Sequence, residues 1–233
     1  MKKIILGLVL FIGLVSCEKE TMDCPSSTEK TFTESGFSKI SAGETFTVQI
    51  KQGTTFLVKA KGCSNDLNDL VVSTNGGALE FKFNRYKSDR YRVDLEITMP
   101  SLTSINLSGA AKGTVAGFGQ QNTFMRAVLS GAATCIINDL PLLVAPDLSG
   151  TSQLFLHGTT TDLMANLSGN SRLNAYGATT DDIDVATSGT AKAFVQVRQS
   201  LVASVSGDSR VHYKGNPTNL QVDKSGNAEV IHE

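Results

Sequence analysis

A Ser-Gly pair that returns about every nineteen residues constrains this chain more than any other feature. It occurs as Leu107-Ser108-Gly109, Leu129-Ser130-Gly131, Leu148-Ser149-Gly150, Leu167-Ser168-Gly169, Thr187-Ser188-Gly189, Val205-Ser206-Gly207 and Lys224-Ser225-Gly226. Successive serines stand 22, 19, 19, 20, 18 and 19 residues apart. A period this narrow means stacked, equivalent units that bury a continuous core only by lying on one another.

Around each pair the apolar residues alternate with period two, as a strand with one buried face requires. Before the turn, Leu163, Ala165 and Leu167 share one side, as do Ile183, Val185 and Thr187, and Leu201, Ala203 and Val205. After it, Ala111, Ala133, Ser152, Ser171, Ala191, Ser209 and Ala228 align as a column of small residues, followed two positions on by Leu154, Leu173, Ala193 and Val211. These columns are the expected core. Glycine at the turn accepts a positive φ without a Cβ clash. A second corner is expected at Gly158, Gly177 and Gly215, giving each unit two short strands and two bends. Equivalent strands then stack in parallel at about 4.8 Å per coil, and parallel crossovers are right-handed by default. The expected fold is all-β, a right-handed parallel β-helix with coils of about 19 residues. The 21 glycines against 5 prolines suit many tight turns.

Residues 32–100 lack the Ser-Gly period but carry longer alternating runs: Phe46/Val48/Ile50, Phe56/Val58/Ala60, Leu79/Phe81/Phe83 and Val93/Leu95/Ile97. Asn75-Gly76-Gly77 reads as a turn between two such strands. This part is expected to be an irregular N-terminal β-section that continues into the solenoid and covers its open end, within one domain spanning 31–233.

The chain begins with Lys2 and Lys3, an apolar run from Ile4 to Val15, and small Ser16 before Cys17. That is a secretion signal over residues 1–16, with an apolar run too short for a permanent membrane span. Leu14-Val15-Ser16-Cys17 resembles the bacterial lipobox, so Cys17 is the expected lipidation site. Several acyl chains there would anchor the protein stably to a membrane, placing it at the outer membrane and facing either the periplasm or the outside. Residues 17–30, polar and without apolar periodicity, read as a tether.

The order Phe37-x-x-Ile40, Phe46-x-Val48-x-Ile50-x-Gln52-Gly53, then Met99-Pro100-x-Leu102-x-x-Ile105-x-Leu107-Ser108-Gly109-Ala110, resembles the head GIN domain family of auto-transporter adhesins, common among Bacteroidetes lipoproteins. The resemblance covers about residues 30–225. It implies a β-helix and an adhesin role, and supplies no catalytic residues.

Two outward columns form the candidate ligand face. Lys112, Thr134, Gln153, Arg172, Lys192, Arg210 and Glu229 lie three positions after each glycine; Thr114, Ile136, Phe155, Asn174, Phe194, His212 and Ile231 lie two further on. Cations and aromatics sharing a flat sheet suit an anionic glycan or a surface protein, set against the plain reading of a solvated solenoid face. Cys135 falls on an inward column and reads as a core thiol, while Cys24 and Cys63 either pair, pinning the tether, or stay free. His157, His212 and His232 occupy different columns and define no metal site or acid–base pair. Asp162, Asp182, Ser200 and Asn219 share a position suited to turn hydrogen bonds. Asp181, Asp182 and Asp184 are the only dense carboxylates for a calcium-assisted polysaccharide lyase. With a formal net charge of -1 there is no electrostatic case for nucleic acid, and no cofactor motif is present. Three readings remain: a surface adhesin or ligand-binding module, a carbohydrate-active enzyme, and a structural envelope component with protein partners.

Overall fold

A computed structural model describes residue 24, residues 26–119 and residues 122–233. The signal segment, Cys17 and most of the tether lie outside the described residues. In chain order the elements are β1 (Ser27–Phe32), β2 (Lys39–Ala42), β3 (Thr47–Gln52), β4 (Leu57–Cys63), a short helix α1 (Ser64–Asp69), β5 (Leu70–Asn75), β6 (Ala78–Phe83), β7 (Asp94–Met99), β8 (Ser104–Leu107) and β9 (Lys112–Ala116). They continue as β10 (Phe124–Leu129), β11 (Thr134–Asn138), β12 (Leu143–Leu148), β13 (Gln153–Leu167), β14 (Arg172–Thr187), β15 (Lys192–Gly207), β16 (Arg210–Lys214), β17 (Asn219–Gly226) and β18 (Glu229–His232).

The strands wind into a β-solenoid of about 7 turns with a spacing of about 19 residues. On one face β7, β3, β9, β11, β13, β14, β15, β16 and β18 pair in parallel in that order; on the other the order is β6, β2, β8, β10, β12, β13, β14, β15 and β17. β13, β14 and β15 turn through the second corner without ending and serve both faces. The expected pair of short strands per coil is therefore, in these three coils, one long strand with register shifts at the bend. Gly158 and Gly215 take positive φ there (131° and 104°), but Gly177 does not. What keeps Gly177 small is the His157 ring, which occupies the space a Cβ would need.

The Ser-Gly corner stacks coil on coil. From Gly109 to Gly226 each corner glycine has φ between 64° and 73°. A Cβ on Gly150 would sit 2.7 Å from the carbonyl oxygen of Gly131, and one on Gly169 would sit 2.9 Å from that of Gly150. Glycine is thus required twice, by its φ and by the coil beneath. The residue after it closes the ladder: the amides of Thr151, Asn170, Thr190 and Asp208 each donate to the previous coil's glycine carbonyl at 2.8 Å. Ala111, Ala133 and Ala191 are buried, and where serine replaces alanine its hydroxyl is satisfied by a corner carbonyl, as Ser152 Oγ on Ser149 O at 2.8 Å and Ser209 Oγ on Ser206 O at 2.7 Å.

The N-terminal section is itself two coils laid down out of order. β2–β3 forms one coil, the chain leaves through β4, α1 and β5, and the Asn75–Ala78 hairpin turn returns it as β6–β7 on the outer side of β2–β3. β8–β9 then stacks on the inner side. β4 lies antiparallel on β7 and β1 antiparallel on β4, closing this end. Residues 27–30, expected in the tether, belong to β1. Pairing of Glu29 with Lys59 at 2.9 Å and of Thr28 with Gly62 holds them there. A disulfide joins Cys24 to Cys63, their Cα atoms 5.6 Å apart. Phe46 is buried in the core at this end, stacked on Phe83 with ring centroids 5.0 Å apart.

Candidate ligand face and serine groove

The sheet register brings the two outward columns together as the spacing predicts. Lys112, Thr134, Gln153, Arg172, Lys192, Arg210 and Glu229 are successive cross-strand partners. So are Thr114, Ile136, Phe155, Asn174, Phe194, His212 and Ile231. The intervening residues Cys135, Leu154, Leu173, Ala193 and Val211 are fully buried. Burial pushes the Cys135 thiol up to about 12, which keeps it protonated and inert.

Side chains on this face are extensively packed on one another. The Arg172 guanidinium lies 4.4 Å over the Phe194 ring, Phe194 stacks on His212 at 4.8 Å, and Tyr176 meets Phe194 edge-on at 5.6 Å. Glu233 joins them, accepting from the Tyr176 hydroxyl at 2.7 Å and lying 2.8 Å from His212 Nδ1. These two contacts hold the Glu233 carboxyl below the usual carboxylate range, while burial and that carboxylate push the Tyr176 phenol up. Arg210 is paired with Glu229 at 2.9 Å. Lys112 and Lys192 have no ion-pair partner among the described residues. At the Lys112 end the face opens into a cavity of about 330 Å³ whose lining includes Thr45, Thr47, Arg90, Arg92 and Lys112.

Tyr176, Lys214 and Glu233, none of them in the two repeat columns, also belong to this face. Lys214 Nζ stands 4.4 Å over the Tyr176 ring. The other two histidines keep apart: His232 stacks on Tyr213 at 4.7 Å and His157 covers Gly177. In the Asp162–Asp182–Ser200–Asn219 column a side-chain bond forms between Asn219 and Ser200, at 3.0 Å. Asp181 is paired with Arg198. No group of three or more metal-ligating side chains occurs among the described residues.

A second concavity follows the Ser-Gly corner along the other face. This groove of about 510 Å³ runs past Asp147, Asn166, Ala186, Ser204 and Asp223, with the corner serines along one side. It exists because Ala186 and Ser204 are shorter than their column neighbours. Asp147 at one end is neutralised by Arg126 (Nε–Oδ2 2.8 Å) and accepts from Asn166 Nδ2 at 3.2 Å.

A solenoid with unbroken flat faces and long ladders of like residues defines the class: a repetitive β-helical protein that offers extended surfaces. Within that class, residues 36–217 match the family described as "Putative auto-transporter adhesin, head GIN domain", and the chain belongs to it. The fold is shared with solved structures. A putative adhesin from Bacteroides fragilis has a TM-score of 0.79 at 17% identity, covering 90% of this chain and 98% of that one. A putative adhesin from Parabacteroides distasonis has a TM-score of 0.70 at 16% identity, covering 89% and 97%. A protein from the same species described as a putative lipid binding protein has a TM-score of 0.66 at 14% identity, covering 90% and 97%. No curated protein matches the sequence significantly.

Proposed function

We propose that this protein is a non-catalytic, lipid-anchored envelope module, held in the outer membrane through Cys17, that binds an anionic glycan or polymer on its flat outward face. The observation that carries the reading is the continuous run Arg172–Lys192–Arg210 on one column, which continues through Gln153 and Thr134 to Lys112, is flanked by Phe155, Asn174, Phe194 and His212, and ends at the cavity by Arg92 and Lys112. Cations repeating along a rigid axis meet a charged polymer without ordering cost on the protein side. Phe155, half-buried beside the cations, adds apolar area that a sugar ring can cover. Because Arg210 is paired with Glu229, the positive charge that no carboxylate of the described residues offsets lies on Lys112, Arg172 and Lys192. Membership in an adhesin family supports surface binding over catalysis.

The experiment is a glycan-binding screen of a soluble form beginning at Glu18, beside a Lys112→Ser/Arg172→Ser/Lys192→Ser variant. Binding of sulfated or uronic glycans that the variant loses supports the proposal; a folded wild-type domain that binds no anionic glycan refutes it. A second reading has its own observation, the hydroxyl-lined serine groove, which suits a neutral linear chain. Ser204→Phe fills that groove and leaves the ladder intact. Loss of binding in Ser204→Phe alone would move the site there.

A further inference from the structure

We infer that the segment 84–92 at the N-terminal end of the solenoid is a membrane-contact surface that sets Tyr86 and Lys87 against the anionic headgroups of the leaflet in which Cys17 is anchored. The inference rests on the lipid-anchor reading above and adds an orientation to it.

This segment stands where the repeat breaks. Coils from β8 onward pass from one face to the other in a tight Ser-Gly corner; between β6 and β7 the chain instead runs through 84–93 before rejoining the sheet. The excursion is nailed down at its base. Arg90, its side chain 4% exposed, reaches Asp66 at 3.0 Å and Asp69, and its guanidinium lies 3.7 Å over the Phe83 ring. Arg85 pairs with Asp69 at 3.1 Å, and the Tyr91 amide donates to Asp66 at 3.1 Å. Both carboxylates come from α1. A buried ion network of this kind fixes geometry more than it adds stability.

What the clamp holds outward is Tyr86, 94% exposed, between Arg85 and Lys87. An amphipathic ring flanked by cations matches the chemistry of a membrane–water interface, where the ring settles among headgroups and lysine reaches anionic phosphates.

The tether brings the lipid to this place. Cys24 is bonded to Cys63, at the junction of β4 and α1, and Lys87, Asp89 and Tyr91 share a cleft of about 280 Å³ with Ser26, Cys63 and Ser64. Seven residues from Cys17 to Cys24 reach at most about 25 Å. A lipid on Cys17 therefore lies within about 25 Å of the base of this loop, and the disulfide ties the tether to this end of the solenoid rather than to the β17–β18 end. A single tyrosine and lysine are a weak membrane ligand alone, but the anchor raises the local lipid concentration enough for a weak contact to set orientation.

The sequence contains no tryptophan, so Tyr86→Trp installs a unique fluorophore. The full lipidated chain carrying Tyr86→Trp, or Phe155→Trp on the flat face as control, is reconstituted into phosphatidylethanolamine–phosphatidylglycerol vesicles with and without brominated acyl chains. The expected result is an emission drop of roughly half for Tyr86→Trp in brominated vesicles, as for a residue at headgroup depth, with Phe155→Trp unchanged. Adding Lys87→Ser should weaken the quenching. Equal emission of Tyr86→Trp in both vesicle types, from protein that co-floats with them, overturns the inference. Protein that fails to co-float overturns the lipid anchor itself.

Discussion

At the scale of single residues, the fold depends most on positions where two requirements coincide. Gly169 needs a positive φ and also has no room for a Cβ over Gly150, whereas Gly36 has φ 71° with nothing within 4 Å. Left-handed backbone costs an alanine about 1–2 kcal/mol, and the clash adds to it. Gly169→Ala should therefore destabilise by about 2–4 kcal/mol and Gly36→Ala by no more than about 1–2, read from urea unfolding. Asp69 gives the acid behaviour. The Arg90 guanidinium, helped by Arg85 and opposed by burial, holds its carboxyl below the unfolded value near 4. A lowered carboxyl stabilises fully above about pH 4 and progressively loses that contribution as pH falls through its folded value. Melting curves of wild type and Asp69→Asn should converge as pH drops below about 4; a gap that stays constant would contradict this. Residue columns were legible because a period of nineteen aligns them directly. Glu44 was not: it fills the corner of the β2–β3 coil at φ 51°, stacked beneath Gly109, where other coils place glycine. With Gly43-Glu44 standing where later coils have Ser-Gly, the series looks as if it begins at Ser108.

At the scale of elements, the terminal coil shows how the open end is managed. Leu107, Leu129, Leu148, Leu167, Thr187 and Val205 are buried along one inward column, and the next member is Lys224 in β17. Every residue of β17 is exposed, with Leu220 at 46% and Val222 at 41%. A charge aimed inward on an edge strand opposes further strand addition. Lys224→Leu should raise the apparent mass in concentration-dependent light scattering, while wild type is less affected. At the other end, the Cys24–Cys63 bond closes a loop of 39 residues. Cys24→Ser should cost about 2–4 kcal/mol, seen as a lower melting temperature that reductant reproduces in wild type. The N-terminal elements were recognised as strands, but their spatial order was not legible, because alternation specifies a buried face and not which neighbour covers it. β6–β7 lies outside β2–β3 only because the hairpin at Gly76-Gly77 reverses the chain.

At the scale of the whole molecule, the solenoid separates its roles by position. The end bearing Cys24 carries the clamped loop 84–92, the flat face carries the cationic and aromatic ladder, and the serine corner forms a groove on another side. The ladder was legible because it is a property of register alone. The clustering of Tyr176, Lys214 and Glu233 around Phe194 was not, since it depends on side chains that leave their columns at the second corner and the last strand. The measurement that tests the account most directly is a crystal structure of the soluble domain with a sulfated linear oligosaccharide. The account predicts the chain lying along the solenoid axis across Lys112, Arg172 and Lys192, with sulfates near the two free lysines. Oligosaccharide bound in the serine groove, or a ladder left bare at saturating ligand, would contradict it.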